Sequence, residues 1–116
     1  MVNVTIQERT FKFSKTVIEW TRVLPRNIEA DILRKQILRS ATSVCANITE
    51  AQHALTRKEY IQYLQIALRS SRESEYWLRL CGSVGYATKL VNYDVHDECS
   101  QISKILATIL VRSKGI

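Results

Sequence analysis

The chain has 116 residues, and its seventeen Lys and Arg against eleven Asp and Glu give a formal charge of +6, so one basic domain is expected. Apolar residues make up 46% and charged residues 24%, the balance of a globular protein, and no apolar run approaches the roughly 20 residues of a membrane span. Three Gly and one Pro leave little material for turns, which argues against an all-β fold and for a few long helices.

Met1 to Thr5 lack the basic and apolar regions of a signal peptide, so a cytoplasmic protein is expected. Thr5-Ile6-Gln7-Glu8 reads as a capping box that opens a first helix running to about Leu24. Its apolar stripe is Phe13, Val17, Trp20 and Leu24, with Phe11 and Ile18 on an adjoining face. Pro25 stops it, because proline offers no N–H and disfavours helical geometry in the residue before it.

Asn27 is a suitable N-cap for a second helix that reaches about Leu55. Two stripes run along it. Leu33, Ile37, Ala41, Val44, Ile48, Ala51 and Leu55 form an apolar one, and Ser40, Ser43, Asn47 and Glu50 form a small, polar one beside it. Short side chains let another helix approach closely, and Asn or Glu in such a place needs hydrogen-bond partners. The pattern predicts a helix contacted on two sides.

Thr56-Arg57-Lys58-Glu59 is a second capping box, with Leu55 and Tyr60 placed for a hydrophobic staple. It opens a third helix, from about Arg57 to Ser83, antiparallel to the second. Ile61, Leu64, Leu68, Ser71 and Leu78 form one face, broken by Glu75, and Tyr60, Tyr63, Ala67, Ser70, Ser74, Trp77 and Cys81 form the other. Gly85 suits a C-terminal position with positive φ. Tyr86 to Val91 make the longest connection, after which Asn92 or Asp94 caps a fourth helix with the stripe Val95, Cys99, Ile102, Leu106 and Ile109. The expectation is an all-α, up-down-up-down antiparallel four-helix bundle spanning residues 1–116. If the turn between the middle helices centres near Leu55 and Thr56, Arg39 lies near Glu73 as a partly buried pair, and Asn47 lies near Leu64 and Gln65.

Cys45, Cys81 and Cys99 are odd in number and without CxxC spacing, so they read as packed thiols rather than as a disulfide framework or a zinc site. His53 and His96 have no ligand partner at helical spacing. No metal, cofactor or small-molecule substrate is indicated, and no phosphate loop, nucleophile elbow or HExxH occurs. Glu50 and Glu73 are the one carboxylate pair to weigh for acid–base chemistry, and Arg39, Asn47 and Ser70 close by make a structural network the better account. Tyr60, Tyr63 and Trp77 suit either the core or an interface between subunits.

Gln36, Arg39-Ser40-Ala41, Ser43-Val44, Ala46-Asn47-Ile48 and Glu50, followed by Ile66-Ala67, Ser70, Glu73, Tyr76-Trp77-Leu78 and Gly85-Tyr86, carry a family resemblance. The chain resembles the 23S rRNA-intervening sequence proteins, small bacterial four-helix bundles encoded within the large ribosomal RNA gene. The likeness spans Phe11 to Tyr86. Ala51 stands where many members have Gly, and alanine continues a helix more readily. The resemblance implies a ring-like homopentamer without established enzymatic activity. The fold is also similar to that of basic, ring-shaped accessory proteins of diversity-generating retroelements, which associate with reverse transcriptase and nucleic acid, a likeness of fold alone.

Together these readings predict a non-enzymatic, homo-oligomeric bundle with no catalytic residue. It would contact RNA or DNA through Arg26, Arg34, Lys35, Arg57, Lys58, Arg69, Arg72 and Arg79, which a ring would repeat into a cationic belt. Arg39, Ser40, Ser43, Asn47, Glu50, Ser70, Glu73 and Trp77 are the expected helix-packing or interface residues. The alternative is an oligomeric protein-interaction scaffold whose charge serves only solubility.

Overall fold

In the computed structural model residues 4–90 and 92–115 are described, with side chains from Ile6 onward except Val91. Helix α1 spans Val4–Thr21. Thr5 lies within it, so the expected capping box is not its opening. Its end tightens into i→i+3 bonds, with the N–H of Arg22, Val23 and Leu24 donating to the carbonyls of Glu19, Trp20 and Thr21 at 3.2, 3.1 and 3.3 Å. Leu24 is therefore past the helix but still buried.

Helix α2 spans Ile28–Gln52, with the Asn27 side chain accepting from the Ala30 N–H at 2.8 Å. It stops short of Leu55, which is 90% exposed, so the expected staple with Tyr60 stays open. Helix α3 spans Arg57–Ser83, and Thr56 Oγ1 accepts from the Glu59 N–H at 3.1 Å. It closes in a Schellman turn. The Tyr86 N–H donates to the Cys81 carbonyl at 2.9 Å, the Gly85 N–H donates to that of Gly82 at 3.2 Å, and Gly85 takes the positive φ of 97° that the turn requires.

The chain then forms a small antiparallel ladder that the sequence reading did not contain, β1 (Lys89–Leu90) against β2 (Tyr93–Asp94). Asp94 doubles as the N-cap of α4 (Val95–Ser113), its carboxylate accepting from the N–H groups of His96 and Asp97 at 3.0 and 3.1 Å. The Trp20 indole N–H donates to the Ala87 carbonyl at 2.9 Å and fastens this connection to α1.

Neighbouring helices pack in a closed circuit, α1 on α2, α2 on α3, α3 on α4 and α4 on α1, while among the described residues the diagonal pairs stand farther apart. This is the expected up-down-up-down order, in a body of 44 × 24 × 21 Å. The core is built from Phe13, Val17 and Trp20 of α1, Ile37, Val44 and Ile48 of α2, Leu64 and Leu78 of α3, and Ile102 and Leu106 of α4, all fully buried. Arg9 holds α1 to α4 with a two-pronged grip on Glu98 at 2.7 Å. All three cysteines are free and buried, and burial pushes the Cys81 and Cys99 thiols up to about 11 and about 12. No helix among the described residues is long and apolar enough to cross a membrane.

Candidate nucleic-acid interface

Helix α3 has two flanks, and serines organise both. Toward α2, the Ser74 hydroxyl donates to Ser40 Oγ at 2.9 Å, and the hydroxyls of Ser43 and Ser70 are 2.9 Å apart. This register is about two residues from the one expected. Asn47 uses its amide on Ser43 of its own helix, at 2.8 Å to the carbonyl and 2.9 Å to the hydroxyl. Ser40 and Ser74 are buried, Ser43, Asn47 and Ser70 half-buried, and Glu50 exposed. The serine part of the stripe is thus covered by α3 of the same chain, while its Glu50 end stays open.

Arg39 meets Glu73 as expected, but in the open. Their side chains are 58% and 36% exposed, so the partly buried pair of the sequence reading is in fact a surface one. Gln36 accepts from Arg39 Nη2 at 2.9 Å, and the Trp77 indole N–H donates to Glu73 Oε2 at 3.0 Å. Arg39, then the Trp77 N–H, hold the Glu73 carboxyl below its ordinary value. Trp77 is half-buried, with the Tyr76 ring edge-on at 4.8 Å. Tyr60 and Tyr63 are half-buried against the core.

Glu50 and Glu73 do not form a carboxylate dyad. Glu73 lies level with Arg39, and Glu50 is a further eleven residues along α2, roughly 16 Å at 1.5 Å per residue. Among the described residues no group of three or more His, Cys, Asp or Glu could hold a metal ion.

The eight candidate cations separate into groups. Arg34 is engaged within the chain. Its guanidinium caps the end of α1, donating to the carbonyls of Thr21, Leu24 and Pro25 at 3.1, 3.2 and 3.2 Å, and it pairs with Asp31. Arg57 is similarly engaged with the Ser113 carbonyl at the end of α4. Both cap carbonyls of a different helix, which single-helix patterns do not reveal. Arg26 is exposed in the α1–α2 turn and Lys35 on the outside of α2.

The other four share a face. Lys58, Gln62, Gln65, Arg69, Arg72, Tyr76 and Arg79 recur at spacings of three and four along α3, and all are exposed except the half-buried Gln65. This stripe contains no carboxylate, and Lys58, Arg69, Arg72 and Arg79 make no ion pair among the described residues. Its spacing is present in the sequence, where each cation singly suits a solvated face.

Toward α4 the second serine flank opens instead of closing. The Ser71 and Ser103 hydroxyls are 2.7 Å apart, and Ser103 donates to Glu75 Oε2 at 2.5 Å. Above them lies a groove of about 430 Å³ lined by Arg72, Glu75, Ser100, Ser103, Lys104 and Ala107.

A family model described as 23S rRNA-intervening sequence protein matches residues 3–108. Comparison with curated proteins gives no match. Among solved structures, the chain is similar to a protein of unknown function from the S23 ribosomal protein family of Bacteroides thetaiotaomicron. The two share 32% identity with a TM-score of 0.81, over 90% of this chain and 97% of that one.

Proposed function

This chain belongs to the 23S rRNA-intervening sequence protein family, and on that premise we propose that it is a non-enzymatic, cytoplasmic, oligomeric bundle that binds RNA or ribonucleoprotein. The observation that carries this reading is the α3 stripe. Lys58 to Arg79 span 21 positions, roughly 30 Å of helix, along which four exposed cations make no ion pair among the described residues. Such a row attracts a polyanion by releasing its counterions and contacts phosphates without reading bases. Self-association would repeat the row. The exposed apolar side chains Phe11 and Ile18 of α1 and Ile28 and Ile32 of α2 are the material for it, since the serine stripe is already closed within the chain.

The test is the salt dependence of binding to single-stranded RNA. Wild-type protein is expected to bind at low salt and release steeply as salt rises. Replacing Lys58, Arg69, Arg72 and Arg79 together by Ala should flatten the plot of log affinity against log salt by about 3 units, given about 0.7 per phosphate contact on a single strand. An unchanged slope overturns the assignment to this stripe. Absence of binding at low salt favours the second reading, an oligomeric protein-interaction scaffold built on the same exposed apolar residues.

A further inference from the structure

The groove between α3 and α4 contains a feature that a plain phosphate-binding surface does not need. Arg72 on α3 and Lys104 on α4 are both exposed, make no ion pair among the described residues, and both line the groove. Glu75 lines the same groove. A carboxylate there repels phosphate, so on charge alone it weakens the site. Its setting is specific. Ser103, itself hydrogen-bonded to Ser71, donates to Oε2 and fixes the carboxylate, while Oε1 makes no hydrogen bond among the described residues. The groove therefore presents two cations and one held, unfilled acceptor in a space of about 430 Å³, within the usual size of small-ligand sites.

We infer that this groove is a ribonucleotide subsite, in which Arg72 and Lys104 grip successive backbone phosphates and Glu75 Oε1 accepts a hydrogen bond from the ribose 2′-hydroxyl between them. The chemistry follows from what each group lacks. Arg and Lys offer donors and charge to phosphate oxygens but cannot tell RNA from DNA. The 2′-hydroxyl is the donor that only RNA supplies. Against deoxyribose, Glu75 would lose water and gain no partner, while the repulsion from the flanking phosphates remained. The carboxylate thus acts as a filter, lowering affinity for every polyanion and restoring it for RNA. This assignment rests on the RNA-binding reading above and adds a sugar preference, at a place that reading does not require.

The experiment compares four uniform 20-nucleotide single strands at low salt by fluorescence anisotropy: uridine RNA, deoxyuridine DNA, 2′-fluoro RNA and 2′-O-methyl RNA. Wild-type protein is expected to favour RNA by about tenfold over the other three, none of which has the 2′ donor, as one charge-assisted hydrogen bond would give. The 2′-fluoro strand keeps the ribose pucker of RNA, so equal binding of it and RNA would assign the preference to shape and overturn the proposal. Glu75→Ala should tighten DNA binding and abolish the RNA preference. If it instead tightens RNA and DNA alike, Glu75 only screens charge and the proposal fails. Arg72→Ala with Lys104→Ala should weaken all four strands together, and full retention of affinity would move the contact elsewhere. Wild-type binding to RNA and DNA alike sinks the sugar preference while leaving nucleic-acid binding standing. No binding to any strand sinks both. Circular dichroism on each variant establishes that the bundle is intact, and the comparison of strands on the wild-type protein needs no variant.

Discussion

The two flanks of α3 use the same residue type to opposite ends. On the α2 side, the Ser40–Ser74 and Ser43–Ser70 pairs satisfy hydroxyls across helices that lie close together, and the seam is shut. On the α4 side, Ser71 and Ser103 pair just as closely, yet Ser103 passes its hydrogen to a half-buried Glu75 and the surface opens into a groove flanked by Arg72 and Lys104. Small polar residues lower the distance of approach on both sides. What differs is the neighbour, the hydroxyls of α2 in one case and long charged side chains in the other. A buried hydroxyl is a packing device where another hydroxyl answers it, and a positioning device where a carboxylate does.

The largest test of this contrast is steric. Ser74→Leu should cost about 3 kcal/mol, because the seam has no space for three more carbons and Ser40 loses its donor. In a domain of this size that lowers the melting temperature by roughly 10 °C. Ser100→Leu, at the rim of the groove, should stay within about 0.5 kcal/mol. Equal losses by thermal denaturation would erase the distinction between a shut flank and an open one.

A finer cut is a double-mutant cycle on Ser40→Ala and Ser74→Ala, where a coupling of about 1 kcal/mol is expected from denaturant titrations. Additive effects would mean that the hydroxyls are accommodated separately, each by its own helix backbone.

The smallest effect lies at the outer edge of the same seam. Arg39 and the Trp77 N–H depress the Glu73 carboxyl, so its contribution is complete above the unfolded value near 4.5 and fades as pH falls through the lower folded value. Wild-type protein should exceed Glu73→Gln by roughly 0.5 kcal/mol at pH 7, the scale of an exposed pair, and by nothing at pH 2. A gap that persists in acid would show that shape, not charge, is what Glu73 supplies.

Much of the fold was legible because its signals are local. Asn27, Thr56 and Asp94 cap the helices that their own sequence neighbourhoods announce, and the Leu33 to Ala51 stripe is buried throughout. The Arg39–Glu73 contact followed from a turn position alone. The features missed depend on groups far apart in the chain. The β1–β2 ladder is two residues per strand, too short for any pattern, and is steadied by Trp20 reaching the Ala87 carbonyl and by the Val95 N–H donating to Thr88 at 2.9 Å. The engagement of Arg34 and Arg57 is hidden in the sequence because the carbonyls they cap belong to other helices. Of the groove, Arg72 was legible as a cation, but Lys104, Ser100, Ser103 and Glu75 acquire meaning only when α4 is laid beside α3.

The two tryptophans give the molecule a pair of optical gauges. Trp20 is wholly enclosed and hydrogen-bonded to main chain, while Trp77 sits half-covered with its indole on a carboxylate. Emission from the first should be blue and indifferent to iodide, and that from the second redder and readily quenched. A single fluorescence titration can then separate loosening of the interior from events on the outer edge of α3, where a bound polymer or a second copy would shield one lamp and leave the other unchanged.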